Sequence, residues 1–384
     1  MEQYRYIAKT LKGLEEVLAT ELTNLGANNI KIQRRAVEFT GDKALLYKAN
    51  LYLRTALRIL KPIASFRAIT PDDVYEEAKK INWDQFMDLN TTFAIDATVY
   101  SEDITHSKFV SYRVKDAIVD WFREKYDKRP SISLTEPKLR INVHISHNSC
   151  TINLDSSGES LHKRGYRANQ TEAPISEVLA AGMLLLSGWN GQSNFVDPFC
   201  GSGTFLIEAA LIALNIPPCI YRTSFGFEQW KDFDKQLFDD IYQDDSEERD
   251  FKFTIYGSDI SHRAISTATE NIKSAGLSKY IKLSVKSIDQ FEAPEGRCLM
   301  VTNPPYGERL NPEDLVGIYR SLGSALKHRF AGNTAWVISS ERRLLDNIGL
   351  KSSVRKDLLN GALECTYNRY DIFEGKRKEF LSNP

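Results

Sequence analysis

The sequence predicts short α+β units up to about residue 160, followed by a doubly wound α/β domain over the rest of the chain. Three observations predict it. Strand and helix patterns take turns at regular spacing from about residue 175 onward, as parallel sheets with crossover helices require. The stretch VDPFCGSGTFLIEAALIAL, starting at Val196, is a strand, a glycine turn and a helix, and it opens that region. The chain has 384 residues, 42% of them hydrophobic, which exceeds what one core usually supports and suffices to fill two or three. The expected divisions are 1–65, 66–160 and 161–384.

In the first part, residues 4–10, 30–39 and 56–69 cluster β-formers, with helical Leu and Ala spacing over 14–25 and 42–53. Pro71 starts a helix that runs to about residue 81. A strand follows over 93–100, then a long amphipathic helix over about 108–126. Residues 139–145 and 150–155 form a hairpin turning at His147 and Asn148. After a polar bridge over 156–171, helices are expected at 175–189, 204–214, 262–275, 315–330 and 342–348. Strands are expected between them at 194–199, 253–260, 281–285, 298–302 and 334–339, and a hairpin over 354–359 and 363–372 closes the pattern. The acidic stretch 232–250 reads as a solvated insertion with no chemistry of its own.

The charge is nearly balanced at −1, with 25 Lys/Arg against 22 Asp/Glu in residues 1–165 and 25 against 29 in the rest. A mildly basic N-terminal half suits local nucleic-acid patches without demanding them. Five scattered cysteines contain no Cys-x-x-Cys pair, so neither a disulfide framework nor a zinc knuckle is expected, and no metal. The N-terminus lacks a signal-like apolar core and no stretch approaches a membrane span, so a cytoplasmic protein is expected.

Gly201 and Gly203 let backbone approach a ligand where a Cβ would collide. A dinucleotide fingerprint would need a third glycine where Leu206 stands, and the Gly-Lys-Ser/Thr of a triphosphate loop is missing. Asp197 at the strand end suits a cationic amino group better than a pyrophosphate, and S-adenosylmethionine carries such an ammonium. Asp259 at the next strand tip can take both hydroxyls of a ribose. Its alternative role is to cap the helix that follows, which Ser261 could do equally well. In KSIDQF, Asp289 either accepts an adenine amino group or solvates a loop.

The stretch CLMVTNPPYGERL ends a buried strand with Asn303, where packing has no use for it. The Asn303 side-chain oxygen and the Pro304 carbonyl would present two acceptors to one planar NH2 group. Tyr306 supplies a ring on which a base can stack, and such a base must be flipped out or unpaired to arrive. The plainer alternative is a turn that simply ends a strand.

DPFCGSGT, NPPYGERL and LHKRGYR…APISEVLAA together resemble the THUMP-domain RNA guanine-N2 methyltransferases, and most of all the bacterial large-subunit ribosomal RNA enzymes. The resemblance covers nearly the whole chain. It implies a ferredoxin-like subdomain (1–65), a THUMP RNA-binding subdomain (66–160) and a Rossmann-like methyltransferase domain (161–384). It implies S-adenosylmethionine as cofactor, held by Asp197, Gly201, Gly203 and Asp259, with Phe199, Thr204, Ile260, Asp289 and Asn303 completing the set. It implies amine binding by Asn303, Pro304 and Tyr306. The Asn-Pro-Pro-Tyr motif is shared with DNA adenine and cytosine amino-methyltransferases and a protein-glutamine methyltransferase, so it specifies chemistry better than substrate. Many relatives carry an acidic residue where this chain has Ser287, which leaves the adenine contact between Ser287 and Asp289. Some relatives carry a second fused methyltransferase domain; one methyl-transfer site is expected here.

Lys163, Arg164 and Arg167 of LHKRGYR form a compact cation set expected to hold RNA phosphates, and Arg309 is expected either to hold one near the flipped base or to pair with Glu308. The alternative for the set is a linker packed by Tyr166. The cations of the long helix interleave with acids and equally suit ordinary ion pairs. Ribosomal RNA is the favoured partner, transfer RNA the alternative, and a non-catalytic RNA-binding assembly factor the reading from another class.

Overall fold

A computed structural model describes residues 2–168, 174–307 and 311–373. The chain divides into two compact units. The first takes the residues through Thr10, then Ala19–Leu161 and Thr223–Gln243; the second takes Leu11–Leu18, His162–Arg222 and the chain from Asp244 onward.

In the first unit lie strands β1 (Tyr4–Lys9), β2 (Asn28–Gln33), β3 (Ala36–Gly41), β4 (Arg58–Arg67), β5 (Phe93–Tyr100), β6 (Leu139–Ser146) and β7 (Ser149–Asp155). They form one sheet in the order β2-β3-β1-β4-β7-β6-β5, because β4 pairs antiparallel with β1 on one side and β7 on the other. The two expected α+β subdomains therefore share a continuous sheet. Its helices are α1 (Glu15–Asn24), α2 (Lys43–Tyr52), α3 (Pro71–Lys79) and α4 (Ser107–Tyr126). Thr70 and Asp73 close a capping box on α3, ahead of Pro71. α4 buries Val110, Val114, Ala117, Ile118 and Phe122 at helical spacing.

Two expectations needed correction here. The strand expected over 30–39 is a hairpin, β2 and β3, turning at Arg34-Arg35; Arg35 adopts φ +56°, a left-handed turn without the usual Gly or Asn to signal it. The acidic stretch 232–250 is only partly solvated. Residues 235–242 form α5 (Lys235–Tyr242), capped by Asp234, and Phe227, Phe233 and Phe238 surround the Tyr47 ring at centroid distances of 4.5, 5.9 and 5.7 Å. The charges conceal an aromatic anchor that makes this excursion part of the first unit's core.

The second unit contains α6 (Glu177–Leu186), β8 (Asn194–Asp197), α7 (Thr204–Ala213), β9 (Ile255–Asp259), α8 (His262–Ser274), β10 (Ile281–Val285), β11 (Cys298–Thr302), α9 (Pro312–Arg329), β12 (Thr334–Ser339), α10 (Arg342–Asp346), β13 (Val354–Asn360) and β14 (Leu363–Asp371). The sheet order is β10-β9-β8-β11-β12-β14-β13, parallel from β10 to β12, with β14 and β13 antiparallel at the edge. The chain winds outward from β8 to β10 and then returns to β11 on β8's other side. That reversal leaves the carboxyl ends of β8 and β11 adjacent and uncovered by a crossover, the place where ligands bind in such sheets. β11 is buried along its whole length, as its unbroken apolar run requires.

Candidate active site

The turn after β8 is built by conformation and by close approach. Gly201 has φ +51° and Gly203 φ +84°, both in the left-handed region. A Cβ on Gly203 would sit 3.3 Å from the Ala268 Cβ of α8, so this glycine serves helix packing, whereas a Cβ on Gly201 would project into open space. Their N–H groups are not held in reserve for a ligand: Gly203 donates to the Cys200 carbonyl (2.8 Å) and Gly201 to Asp259 Oδ2 (3.1 Å). The turn is thus stitched to the tip of β9.

Asp197 at the end of β8 is 1% exposed. Its Oδ1 accepts from the Thr302 hydroxyl at 2.6 Å and from the Phe199 N–H at 3.2 Å, while Oδ2 is buried with no hydrogen-bond partner. Burial pushes its carboxyl up to about 7, with the charge of Asp259 adding to the rise and the Thr302 and Phe199 hydrogen bonds opposing it. A buried carboxylate with one bare oxygen is a receptor for a small cation. Next to Thr302 on the neighbouring strand end, Asn303 Oδ1 is likewise buried without a partner. Orphaned acceptors are rare in folded proteins and point to a group yet to be bound.

A cavity of about 640 Å3 lies at these strand ends, lined among others by Phe199, Asp259, Ile260, Ser287, Ile288 and Asp289 and by Asn303, Pro305, Gly317 and Ile318. Of the expected cofactor residues it gathers Phe199, Asp259, Ile260, Asp289 and Asn303. Asp259 Oδ1 and Oδ2 each accept one backbone N–H, from Ser261 and Gly201, leaving further lone pairs for hydroxyl donors. Ser261, not Asp259, caps α8 through the Ala264 N–H. Ile260 is 72% exposed, an apolar side chain held open at a cavity wall, which suits the flat face of a base. Ser287 and Asp289 both line the cavity. The residues fit S-adenosylmethionine: a bare carboxylate oxygen for its ammonium, an acceptor for its ribose, apolar walls for its adenine.

Asp197, Gly201, Gly203, Thr204, Pro304 and Tyr306 are not among the lining residues; Asp197 lies behind the wall, one residue before Pro198, which lines it. Tyr306 is half-buried, and its hydroxyl accepts from Asn360 Nδ2 at 2.8 Å, which ties the ring to the β13–β14 hairpin. Gly307, at φ +82°, donates its N–H to Glu341 Oε1 (2.8 Å), so the carboxyl end of the Asn-Pro-Pro-Tyr-Gly loop is fastened twice.

The cation set of LHKRGYR needs correction. Arg164 is 1% exposed and lies beside buried Glu208, 3.5 Å away, and Cys219. Arg167 spends its guanidinium on Glu177, Ser202 and the Thr204 hydroxyl, at 2.7, 3.1 and 3.0 Å, and so braces the glycine turn. Neither can reach RNA phosphates, because their charge is satisfied inside the unit. Tyr166, also buried, donates to Glu208, and a Cβ on Gly165 would lie 2.2 Å from the Tyr221 carbonyl oxygen. Lys163 is exposed. Arg309 lies outside the described residues.

Sequence reasoning missed Thr302, which reads as an ordinary strand residue, and the α9 wall. Gly317 carried a signal: a glycine inside a helix costs about 1 kcal/mol against alanine, and here it borders the cavity.

Comparison with known proteins bears on this site. The model described as an RMKL-like methyltransferase domain matches residues 164–369, a THUMP domain model matches 68–155, and a RlmL ferredoxin-like domain model matches 5–60. A Synechocystis protein provisionally named an RNA methyltransferase is 40% identical over 371 residues, covering 96% of this chain and 97% of its own. The ribosomal RNA large subunit methyltransferase K/L of Syntrophotalea carbinolica is 39% identical over 96% of this chain, which spans 54% of that enzyme. The crystal structure of SMU.472, provisionally named a methyltransferase and complexed with SAH, superposes with a TM-score of 0.88 at 28% identity, covering 98% of this chain and all of that one.

Proposed function

We propose that this chain, which belongs to the RMKL-like methyltransferase family, transfers a methyl group from S-adenosylmethionine to the exocyclic N2 amine of a guanosine in RNA, with 23S ribosomal RNA as its substrate. The observation that carries this reading is the Asn303 side-chain oxygen, buried without a partner on a residue that lines the same cavity as Asp259 and Ile260. The THUMP match supports an RNA substrate, and the K/L relatives, named as ribosomal RNA enzymes, favour ribosomal RNA.

S-adenosylmethionine, when bound, supplies an electrophilic methyl on a sulfonium. Asp197 Oδ2 takes the ammonium, Asp259 the ribose hydroxyls, and Ile260 and Ile288 flank the adenine, with Ser287 or Asp289 at its edge. Asn303 Oδ1 and the Pro304 carbonyl accept the two N–H bonds of the guanine amine. That grip draws a delocalised, weakly nucleophilic nitrogen toward tetrahedral geometry. Positive charge developing on the amine nitrogen during methylation would lie beside these two oxygens, so the clamp would bind the transition state more strongly than the ground state. The extra proton leaves the nitrogen after transfer, so no base need act beforehand. Tyr306, anchored through Asn360, offers its ring to the flipped base. Lys163 and Arg309 are the proposed phosphate contacts.

The test is incubation with methyl-labelled S-adenosylmethionine and unmodified 23S, 16S and transfer RNA, followed by nucleoside mass spectrometry. Label in N2-methylguanosine of 23S RNA is expected. Label confined to transfer RNA, to DNA or to another atom would reassign the substrate; no label in any of them, with cofactor bound, would mean a non-catalytic RNA-binding protein.

A further inference from the structure

We infer that Thr302 is a positioning residue that aims the Asp197 carboxylate at the cofactor's ammonium and joins that carboxylate to the amine clamp one residue along. The inference rests on the proposed role of Asp197 in cofactor binding. Thr302 is fully buried at the end of β11, and its hydroxyl donates to Asp197 Oδ1 across the strand pair at 2.6 Å. With the Phe199 N–H on the same oxygen, Oδ1 is occupied twice and Oδ2 not at all, which decides which oxygen faces the ligand. A β-branched side chain in a strand has restricted χ1 freedom, so the donor is held stiffly. The next residue is Asn303. A displacement of the Thr302 hydroxyl therefore disturbs the cofactor carboxylate and the amide oxygen together.

The titratable groups facing Asp197 are Asp259 from β9 and the Cys200 thiol from the glycine turn. Asp259 disfavours the Asp197 anion, and the Thr302 hydroxyl favours it. Removing the hydroxyl should shift the Asp197 ionisation equilibrium against the anion by roughly tenfold.

The experiment is calorimetric titration of S-adenosylhomocysteine into the parent, T302V and T302S at pH 6.5 and 8.5. The ligand's own amine titrates alike for all three proteins, so ratios of Kd isolate the protein. Starting from a carboxyl at about 7, a tenfold shift predicts binding about eightfold weaker in T302V than in the parent at pH 6.5 and less than twofold weaker at pH 8.5. T302S, which keeps the donor, should stay within about twofold of the parent at both. T302A replaces T302V should the latter not fold. Equal weakening at both pH values, equal loss in T302S, or no change in T302V overturns the inference while parent binding leaves the cofactor reading standing. Failure of the parent itself to bind overturns the reading and the inference with it.

Discussion

Asp197→Asn separates the stability of this fold from its chemistry. The carboxyl stands at about 7 in the folded chain against an ordinary 3.8. The folded state thus holds the proton more tightly than the unfolded chain does. Stability is fully present below about pH 4, falls as pH rises through the interval, and levels off above 7, with a total loss of ~4 kcal/mol. An amide never ionises, so Asn removes that loss. Its oxygen can keep the Thr302 and Phe199 hydrogen bonds, but its NH2 enters the position of Oδ2, where no protein acceptor faces it, at a cost of ~1–3 kcal/mol. The net expectation for the cofactor-free protein is a variant stabilised by ~1–3 kcal/mol at pH 8.5 and no more stable than the parent at pH 4.5. Thermal denaturation at the two pH values reads this sign. Calorimetry with S-adenosylmethionine should show binding weakened by roughly 30-fold or more, as expected when one member of a buried charge pair is removed. A variant destabilised at both pH values, or one that binds cofactor as the parent does, would refute the reasoning.

Asn303→Ala should lower kcat by about 10²–10³ and weaken cofactor binding far less than that, measured by single-turnover methylation and calorimetry, because the proposed grip of its oxygen is on the amine. Ile260→Ala should weaken cofactor binding by roughly 5- to 20-fold with kcat at saturation unchanged, since it removes apolar surface from the cavity wall alone. Arg164→Met should destabilise the fold by ~3–5 kcal/mol by removing the buried cation beside Glu208, while the salt dependence of RNA binding by the folded fraction keeps the parent slope. A reduced slope would restore Arg164 to the RNA surface.

What could be read from the sequence was local. A glycine turn behind a strand and an Asn-Pro-Pro-Tyr loop behind another each carry their geometry within a few residues, and alternation of elements fixed the sheet class. What could not be read depended on partners far away in the chain. Thr302 lies 105 residues from Asp197, and nothing in Val-Thr-Asn distinguishes a working hydroxyl from a β-former filling a strand. Arg164 and Arg167 looked like surface cations because arginine usually is one; the buried acids that claim them, Glu208 and Glu177, sit on α7 and α6. The 232–250 stretch misled for a related reason. Its charges dominate the composition, but the spacing of Phe233 and Phe238, with Phe227 ahead of them, is what packs on Tyr47.

The topology explains why the two bare oxygens are neighbours. A doubly wound sheet has one place where consecutive crossovers part, and here β8 ends there in Asp197 and β11 ends there in Thr302 and Asn303. Each orphaned acceptor costs the free chain stability, and in the proposed mechanism each would be relieved by a different part of the reaction complex: Asp197 by the cofactor's ammonium, Asn303 by the target amine. An ammonium on Oδ2 would favour the Asp197 anion, leaving the Asn303 oxygen for a neutral amine. Because Thr302 touches the first acceptor and precedes the second by one peptide bond, the proposed cofactor contact and the proposed amine contact share one strand end, and binding at either is coupled to the other by the same factor.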